Sequence, residues 1–92
     1  MNMTLHSVKS WPVYFERLWD GSKTAEWRRN DRDYQVGDTL EVREWEPGVD
    51  GYYVSDRRLV YTITHVLTGP PEFGIPAGYA VLSLRETARE GA

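Results

Sequence analysis

A chain of 92 residues without cysteine forms one domain that must be held together by packing, because no disulfide, thiolate metal site or cysteine nucleophile is available. The formal net charge of −3 argues against indiscriminate binding to the nucleic-acid backbone, which needs a broad basic surface. No apolar run approaches the roughly 20 residues that cross a bilayer, and the N-terminus lacks the apolar centre of a signal peptide. We therefore expect a cytoplasmic protein without a membrane partner.

The first predicted elements are a strand and a helix. Residues 4–10 alternate loosely in polarity, as a short strand does. A helix follows, because Pro12 suits the first helical position and Gly21 suits the left-handed stop after it. The helical period predicts the side chains that pack inward, which are Tyr14, Phe15, Leu18 and Trp19.

The second strand, TAEWRR, carries most of the candidate chemistry. A period of two places Thr24, Glu26 and Arg28 on one face and Ala25 and Trp27 on the other. The apolar side chains predict that the face of Ala25 and Trp27 is turned to the core. Glu26 and Arg28 are then expected on the outer surface.

Three more strands complete the predicted sheet. A turn at Gly37 and Asp38 opens the third strand. The fourth strand is the run RRLVYTITHVL, which is dense in β-branched and aromatic residues. His65 continues the apolar face of this strand and is expected to be a hydrogen-bonded core histidine. A loop rich in proline and glycine leads to the last strand, YAVLSLRE. Residues 4–85 are expected to form the core and residues 86–92 to fray. These elements predict an α+β fold in one domain, residues 1–92, as a small mixed β-barrel of five to six strands with one helix covering an opening.

Charge is unevenly distributed along the chain. Residues 23–32 contain four bases and two acids, whereas residues 41–56 contain five acids and one base. An anionic ligand should prefer the first segment. The acidic segment is a candidate surface for a protein partner, because it could imitate nucleic acid.

Lys23, Glu26 and Arg28 are the candidate site residues of the basic segment. A lysine beside a carboxylate can orient and protonate a polar ligand, and the planar fork of an arginine suits a phosphate or a base edge. The alternative is a solvated ion pair worth about 0 to 1 kcal/mol. Arg32 adds a further arginine beside these three.

Other candidate residues lie near the start of the helix. Trp11, between Lys9 and the helix, is the preferred platform for stacking a nucleobase, a contact worth about 1 to 3 kcal/mol. His6 and Lys9 are candidates to border the same cleft, although the sequence leaves their directions open. With two histidines, no cysteine and no metal-ligand spacing, we expect no metal site, and no motif for a cofactor is present.

Three segments together, FERLWDGSKTAEWRRND, YQVGDTLEVREWE and GYAVLSL, resemble the ASCH domain of the PUA-like superfamily of small β-barrels. Gly21, Lys23 and Glu26 match its Gly-x-Lys-x-x-Glu motif, and the Gly-Asp turn before the third strand matches as well. The resemblance extends over approximately residues 4–85, and the wider frame looks like a short subfamily of bacterial and phage ASCH-like proteins. It implies a barrel with a cleft beside the helix that binds RNA or modified nucleotides.

A related small enzyme hydrolyses the acetyl amide of acetylcytidine with a lysine at the position of Lys23, a threonine three residues later and a glutamate farther along its chain. In this chain the position of that threonine is Glu26. Glu72 is the candidate counterpart of the downstream glutamate.

Three functions follow as hypotheses. The first is a module that binds RNA or a modified nucleotide through Lys9, Trp11, Lys23, Glu26, Arg28 and Arg32. The second is a small metal-independent hydrolase, a nucleoside amidohydrolase or a ribonuclease, in which Lys23 and Glu26 act as an acid and base pair. The third is an inhibitor that binds a protein partner through residues 41–56. The identity of the ligand and the oligomeric state stay open.

Overall fold

A computed structural model describes residues 3–91 and contains, within them, one α-helix and five strands. In chain order these are β1 (Leu5–Ser10), α1 (Pro12–Trp19), β2 (Ala25–Arg29), β3 (Thr39–Glu46), β4 (Tyr52–Thr68) and β5 (Tyr79–Glu90). A single 3-10 turn at Pro71–Phe73 precedes β5. No helix in this part of the chain is long and apolar enough to cross a membrane.

The five strands form one curled sheet, a half-barrel, in the order β1-β3-β4-β5-β2. β1 runs parallel to β3, and the other neighbours are antiparallel. Parallel neighbours need a long crossover connection, and here the crossover contains both α1 and β2. The predicted small α+β architecture with a barrel-like sheet and one helix is confirmed, and β1 and β2 form the two edges of the sheet.

The core lies between α1 and the inner face of the sheet. The helix packs on β3 and β4 and buries Phe15 and Leu18, while Leu40 and Val42 are buried on β3. Trp19 is partly buried against this cluster. The prediction for Tyr14 is wrong, because this residue is 52% exposed.

The two faces of β2 are the reverse of the sequence prediction. Glu26 is 5% exposed, whereas Trp27 is 59% exposed. The reason is the register against β5, in which Glu26 lies opposite Leu82 and Arg28 lies opposite Ala80. Both β5 residues are fully buried, and directly opposed residues of an antiparallel pair share a face. Glu26 and Arg28 therefore point inward, and Trp27 points outward.

The prediction of a core histidine at position 65 is also wrong. Tyr61 and Ile63 are buried, but the register of β4 against β5 shifts between Ile63 and His65. Such a bulge inserts an extra residue and turns the following side chains to the other face. His65 is exposed as a result.

The C-terminal segment does not fray at residues 86–90. These residues extend β5 and pair with β4 as far as the partners Arg58 and Glu90. Arg89 stabilises the extension, because its guanidinium donates to the carbonyl of Trp19 and to Glu86 and lies 4.3 Å from the centre of the Trp19 ring. Part of the predicted frayed tail, Ala92, lies outside the described residues.

A buried polar pair joins β1 to the turn before β3. His6 Nε2 lies 2.8 Å from Asp38 Oδ2, and both side chains are buried. The Asp38 carboxylate also accepts hydrogen bonds from the backbone N–H groups of Thr4 and Gln35. Burial raises the pKa of Asp38, but the hydrogen bonds from His6, Thr4 and Gln35 outweigh it, so the pKa is below the ordinary aspartate value of 3.8.

We expect Asp38→Asn to reduce the acid sensitivity of the fold. A carboxyl group whose pKa is lowered by folding stabilises the native state above its unfolded pKa, and the contribution is lost as the pH falls through the folded value. The free energy of unfolding of the wild type should therefore decline more steeply below about pH 4 than that of the variant. Urea denaturation along an acid pH series measures this difference. Exposed Asp50, changed to Asn, is the matched control, and parallel curves for the wild type and Asp38→Asn would contradict the assignment.

Candidate functional site

A cleft of about 660 Å³ opens between the edge strands β1 and β2, beside the start of α1. Five of its lining residues are basic and two are acidic, in a chain whose net charge is −3. A ligand in the cleft therefore meets an excess of positive charge. The lining residues are Lys9, Ser10, Trp11, Tyr14, Lys23, Glu26, Trp27, Arg28, Arg29, Asp31, Arg32 and Tyr34.

The Glu26 carboxylate lies at the centre of a buried ionic cluster. Its Oε1 accepts from Lys23 Nζ at 2.7 Å, and its Oε2 accepts from Arg28 Nη1 at 2.8 Å. Burying an unpaired carboxylate costs several kcal/mol of folding free energy, and the two cations offset this cost for Glu26. The side chains of Lys23 and Arg28 keep exposed fractions of 32% and 25%, which leaves both of them reachable from the cleft.

The end of α1 brings Lys23 to this cluster. Gly21 adopts a φ of 83° directly after the helix, a left-handed conformation that favours glycine. The chain then turns back, and the Lys23 N–H donates to the Arg17 carbonyl at 2.9 Å. This bond holds the lysine under the helix terminus, three residues before Glu26 on β2.

Arg28 on β2 and Arg32, three residues after the end of β2, both reach across to edge strand β1. Arg28 donates to the Lys9 carbonyl at 3.2 Å, and Arg32 donates to the Ser7 carbonyl at 2.6 Å. Both carbonyls belong to edge strand β1. In a closed barrel, backbone N–H groups of a neighbouring strand would donate to these carbonyls instead. The guanidinium groups therefore hold β1 and β2 together through side chains and leave a cleft between the strands.

Aromatic rings form the rim of the cleft on the helix side. Trp11 is the N-cap residue of α1, and its ring centre lies 6.3 Å from that of Tyr14. Both residues are more than half exposed. They are available to a flat ligand because the helix begins at the cleft and its first turn points these rings away from the core. On the β1 side, Lys9 Nζ lies 3.9 Å from the centre of the Trp45 ring, a cation–π contact.

The structure brings together all of the predicted ligand residues. The cleft is lined by Lys9, Trp11, Lys23, Glu26, Arg28 and Arg32. His6 does not line it, because it is buried against Asp38, and Glu72 is exposed on the 3-10 turn outside the cleft. Within residues 3–91, no group of three or more histidine, aspartate or glutamate side chains is placed to hold a metal ion.

Sequence reasoning missed Tyr34 as a cleft residue. Tyr34 is buried, packs edge-on against the His6 ring and lines the cleft. Its hydroxyl has no hydrogen-bond partner among the described residues. Tyr34 lies outside the strands, between β2 and β3, so no alternation of polarity marks it as an inward residue.

The acidic segment 41–56 is not a uniform acidic surface. Glu44 is buried and accepts from Arg57 Nη2 at 3.0 Å and from the Ser55 hydroxyl. Glu41 lies 3.8 Å from the Arg58 guanidinium. These arginines offset part of the negative charge, which weakens the case for a surface that imitates nucleic acid.

Comparison with known proteins identifies a family and a phage relative. Residues 5–84 match the family described as Domain of unknown function (DUF3850), and this range includes every residue that lines the cleft. The uncharacterised 12.9 kDa protein in the GpA 3′ region of Escherichia phage P2 is 45% identical over 49 residues. The match covers 53% of this chain and 45% of the phage protein, so the chain spans less than half the length of this curated relative.

We expect Glu26→Gln to lower the free energy of unfolding by about 1 to 3 kcal/mol, because Lys23 and Arg28 lose a charged acceptor in a largely buried setting. Urea denaturation measures the loss. Lys23→Met should then cost less in the Glu26→Gln background than in the wild type, since the interaction is already gone. Glu72→Gln, on the exposed turn, is the control. Additive effects of the Lys23 and Glu26 changes would contradict a direct pair.

Proposed function

The chain belongs to the family described as Domain of unknown function (DUF3850), and we propose that it is a module that binds RNA or a modified nucleotide in the cleft between β1 and β2. The observation that carries this proposal is the concentration of five basic side chains beside exposed aromatic rings in a chain of net negative charge. A ligand with phosphates and flat bases matches both features. The cleft volume of about 660 Å³ lies within the range of small-ligand sites.

Each residue has a distinct role in this proposal. Lys23 and Arg28 contact phosphate or carbonyl oxygens through the parts of their side chains that remain exposed. Glu26 acts as the positioning residue, because both of its oxygens already accept from these cations. Trp11 stacks a base at the rim. Lys9 and Arg32 add positive charge on the β1 side, as further cleft residues.

The same proposal includes a PUA-like barrel of the ASCH type as the finer description of the fold. Its support is the geometry around the Gly-x-Lys-x-x-Glu motif, in which Gly21 follows the helix and Lys23 meets Glu26 beside the cleft. Gly37 and Asp38 form the turn before β3, in agreement with the second part of that pattern. An RNA ligand also agrees with the cytoplasmic location expected from the sequence.

A second candidate function is hydrolysis of a nucleoside amide or of RNA. The contact of 2.7 Å between Lys23 Nζ and Glu26 favours it, because such a pair can supply a base and a cation to a reacting centre. Binding ranks first, since Glu26 is 5% exposed and both of its oxygens already accept hydrogen bonds from cations. Incubation with acetylated cytidine and with RNA tests this candidate. Turnover by the wild type that Glu26→Gln loses would support it, and full turnover by the folded variant would remove the carboxylate from the mechanism.

We expect Lys23→Ala and Arg28→Ala each to weaken binding of a short single-stranded RNA by about tenfold, because each removes a charged hydrogen-bond donor from the cleft. Each change should also reduce the slope of log affinity against log salt by about 0.7, the value for one lost phosphate contact with a single strand. Fluorescence anisotropy with a labelled RNA at several salt concentrations measures both effects.

Arg85→Ala is the matched control for this experiment. Arg85 is an exposed base on β5 that does not line the cleft, so its loss changes the net charge by the same amount. Wild-type affinity of both cleft variants for every RNA and nucleotide tested would reject the proposed site. Circular dichroism checks that each variant is folded.

A further inference from the structure

The cleft alone does not explain why the side chain of Trp27 is exposed. Trp27 lies in the middle of β2 and is 59% exposed, although burial of a large aromatic ring strongly favours folding. Trp27 points to the outer face of the sheet, yet it also lines the cleft. The wall of the cleft therefore continues around the edge of β2 onto the outer face.

The strand register defines what surrounds Trp27 on that outer face. Trp27 lies opposite Val81, and Val81 lies opposite Leu67, so one row of three apolar side chains crosses β2, β5 and β4. The neighbouring row pairs Arg29 with Tyr79. These two rows contain an arginine and no carboxylate. A polyanion can follow them without charge repulsion.

The contacts in these rows prearrange an aromatic and cationic surface. The Trp27 and Tyr79 ring centres are 6.3 Å apart, with an interplanar angle of 79°. The Arg29 guanidinium lies 5.7 Å from the Tyr79 ring, and its Nη2 lies 3.4 Å from the Tyr79 hydroxyl. An indole held in this way loses little freedom when a base stacks on it, and the arginine beside it is placed to meet a phosphate.

We propose that a single-stranded RNA runs from the cleft around the edge of β2 and stacks a nucleobase on Trp27, while Arg29 contacts an adjoining phosphate. This inference rests on the proposed function and selects a polynucleotide, rather than a free nucleotide, as the ligand. An apolar row alone would also suit a protein partner. The basic cleft that continues into the row, and the absence of carboxylates from the two rows, favour the nucleic acid.

The test compares a mononucleotide with a mixed-sequence octaribonucleotide. We expect Trp27→Ala to weaken binding of the octaribonucleotide by about tenfold and binding of the mononucleotide by a clearly smaller factor, because Trp27 borders the cleft but only the longer ligand reaches the outer face. Equal losses for the two ligands would overturn the inference. Trp27→Phe, which keeps a ring, should retain most of the affinity. Phe73→Ala removes an exposed aromatic ring that does not line the cleft, so it should have no effect. Lys23→Ala should weaken both ligands.

The outcomes separate this inference from the proposed function. If Trp27→Ala binds the octaribonucleotide as the wild type does while Lys23→Ala loses affinity for both ligands, the stacking site is wrong and the cleft stands. If the wild type binds neither ligand, both proposals fail. Self-association of the wild type that Trp27→Ala abolishes, measured by sedimentation velocity without nucleic acid, would identify the apolar row as a protein interface and overturn the inference.

Discussion

The buried carboxylate of Glu26 is the constraint on which the cleft depends. The pairing of β2 with β5 places this carboxylate on the same face as fully buried Leu82, so it must find cationic partners inside the fold. Lys23 from the end of the helix and Arg28 from the same strand supply them. Arg28 then also reaches the carbonyl of Lys9, and the ionic cluster thereby links the two edges of the sheet.

The opening of the half-barrel is bridged by side chains rather than by backbone hydrogen bonds. A fully closed barrel would satisfy the edge of β1 with another strand and leave no opening there. In this chain Arg28 and Arg32 satisfy carbonyls of β1, so the groups that close the sheet also line a cleft. The same two guanidinium groups therefore hold the edges of the sheet together and give the cleft positive charge.

A single short strand serves two surfaces because its side chains alternate. Glu26 and Arg28 point into the cleft region, while Trp27 and Arg29 point to the outer face. All four line the cleft, since β2 is an edge strand and both of its faces meet at that edge. This position lets one segment carry an ionic cluster and an exposed ring within four consecutive residues.

The sequence by itself determined the features that depend on neighbouring residues. Pro12 and Gly21 mark the ends of the helix, because local backbone conformation decides where a helix begins and ends. Lys23 and Glu26 are three residues apart, so their side chains are within reach of each other. Only the tertiary structure decided which face of β2 is buried. The apolar side chains of Ala25 and Trp27 favour the opposite orientation, and the register against Leu82 on β5 overrides that local preference. The pairing of His6 with Asp38 and the ordered end of β5 likewise depend on partners far away along the chain, which local patterns cannot reveal.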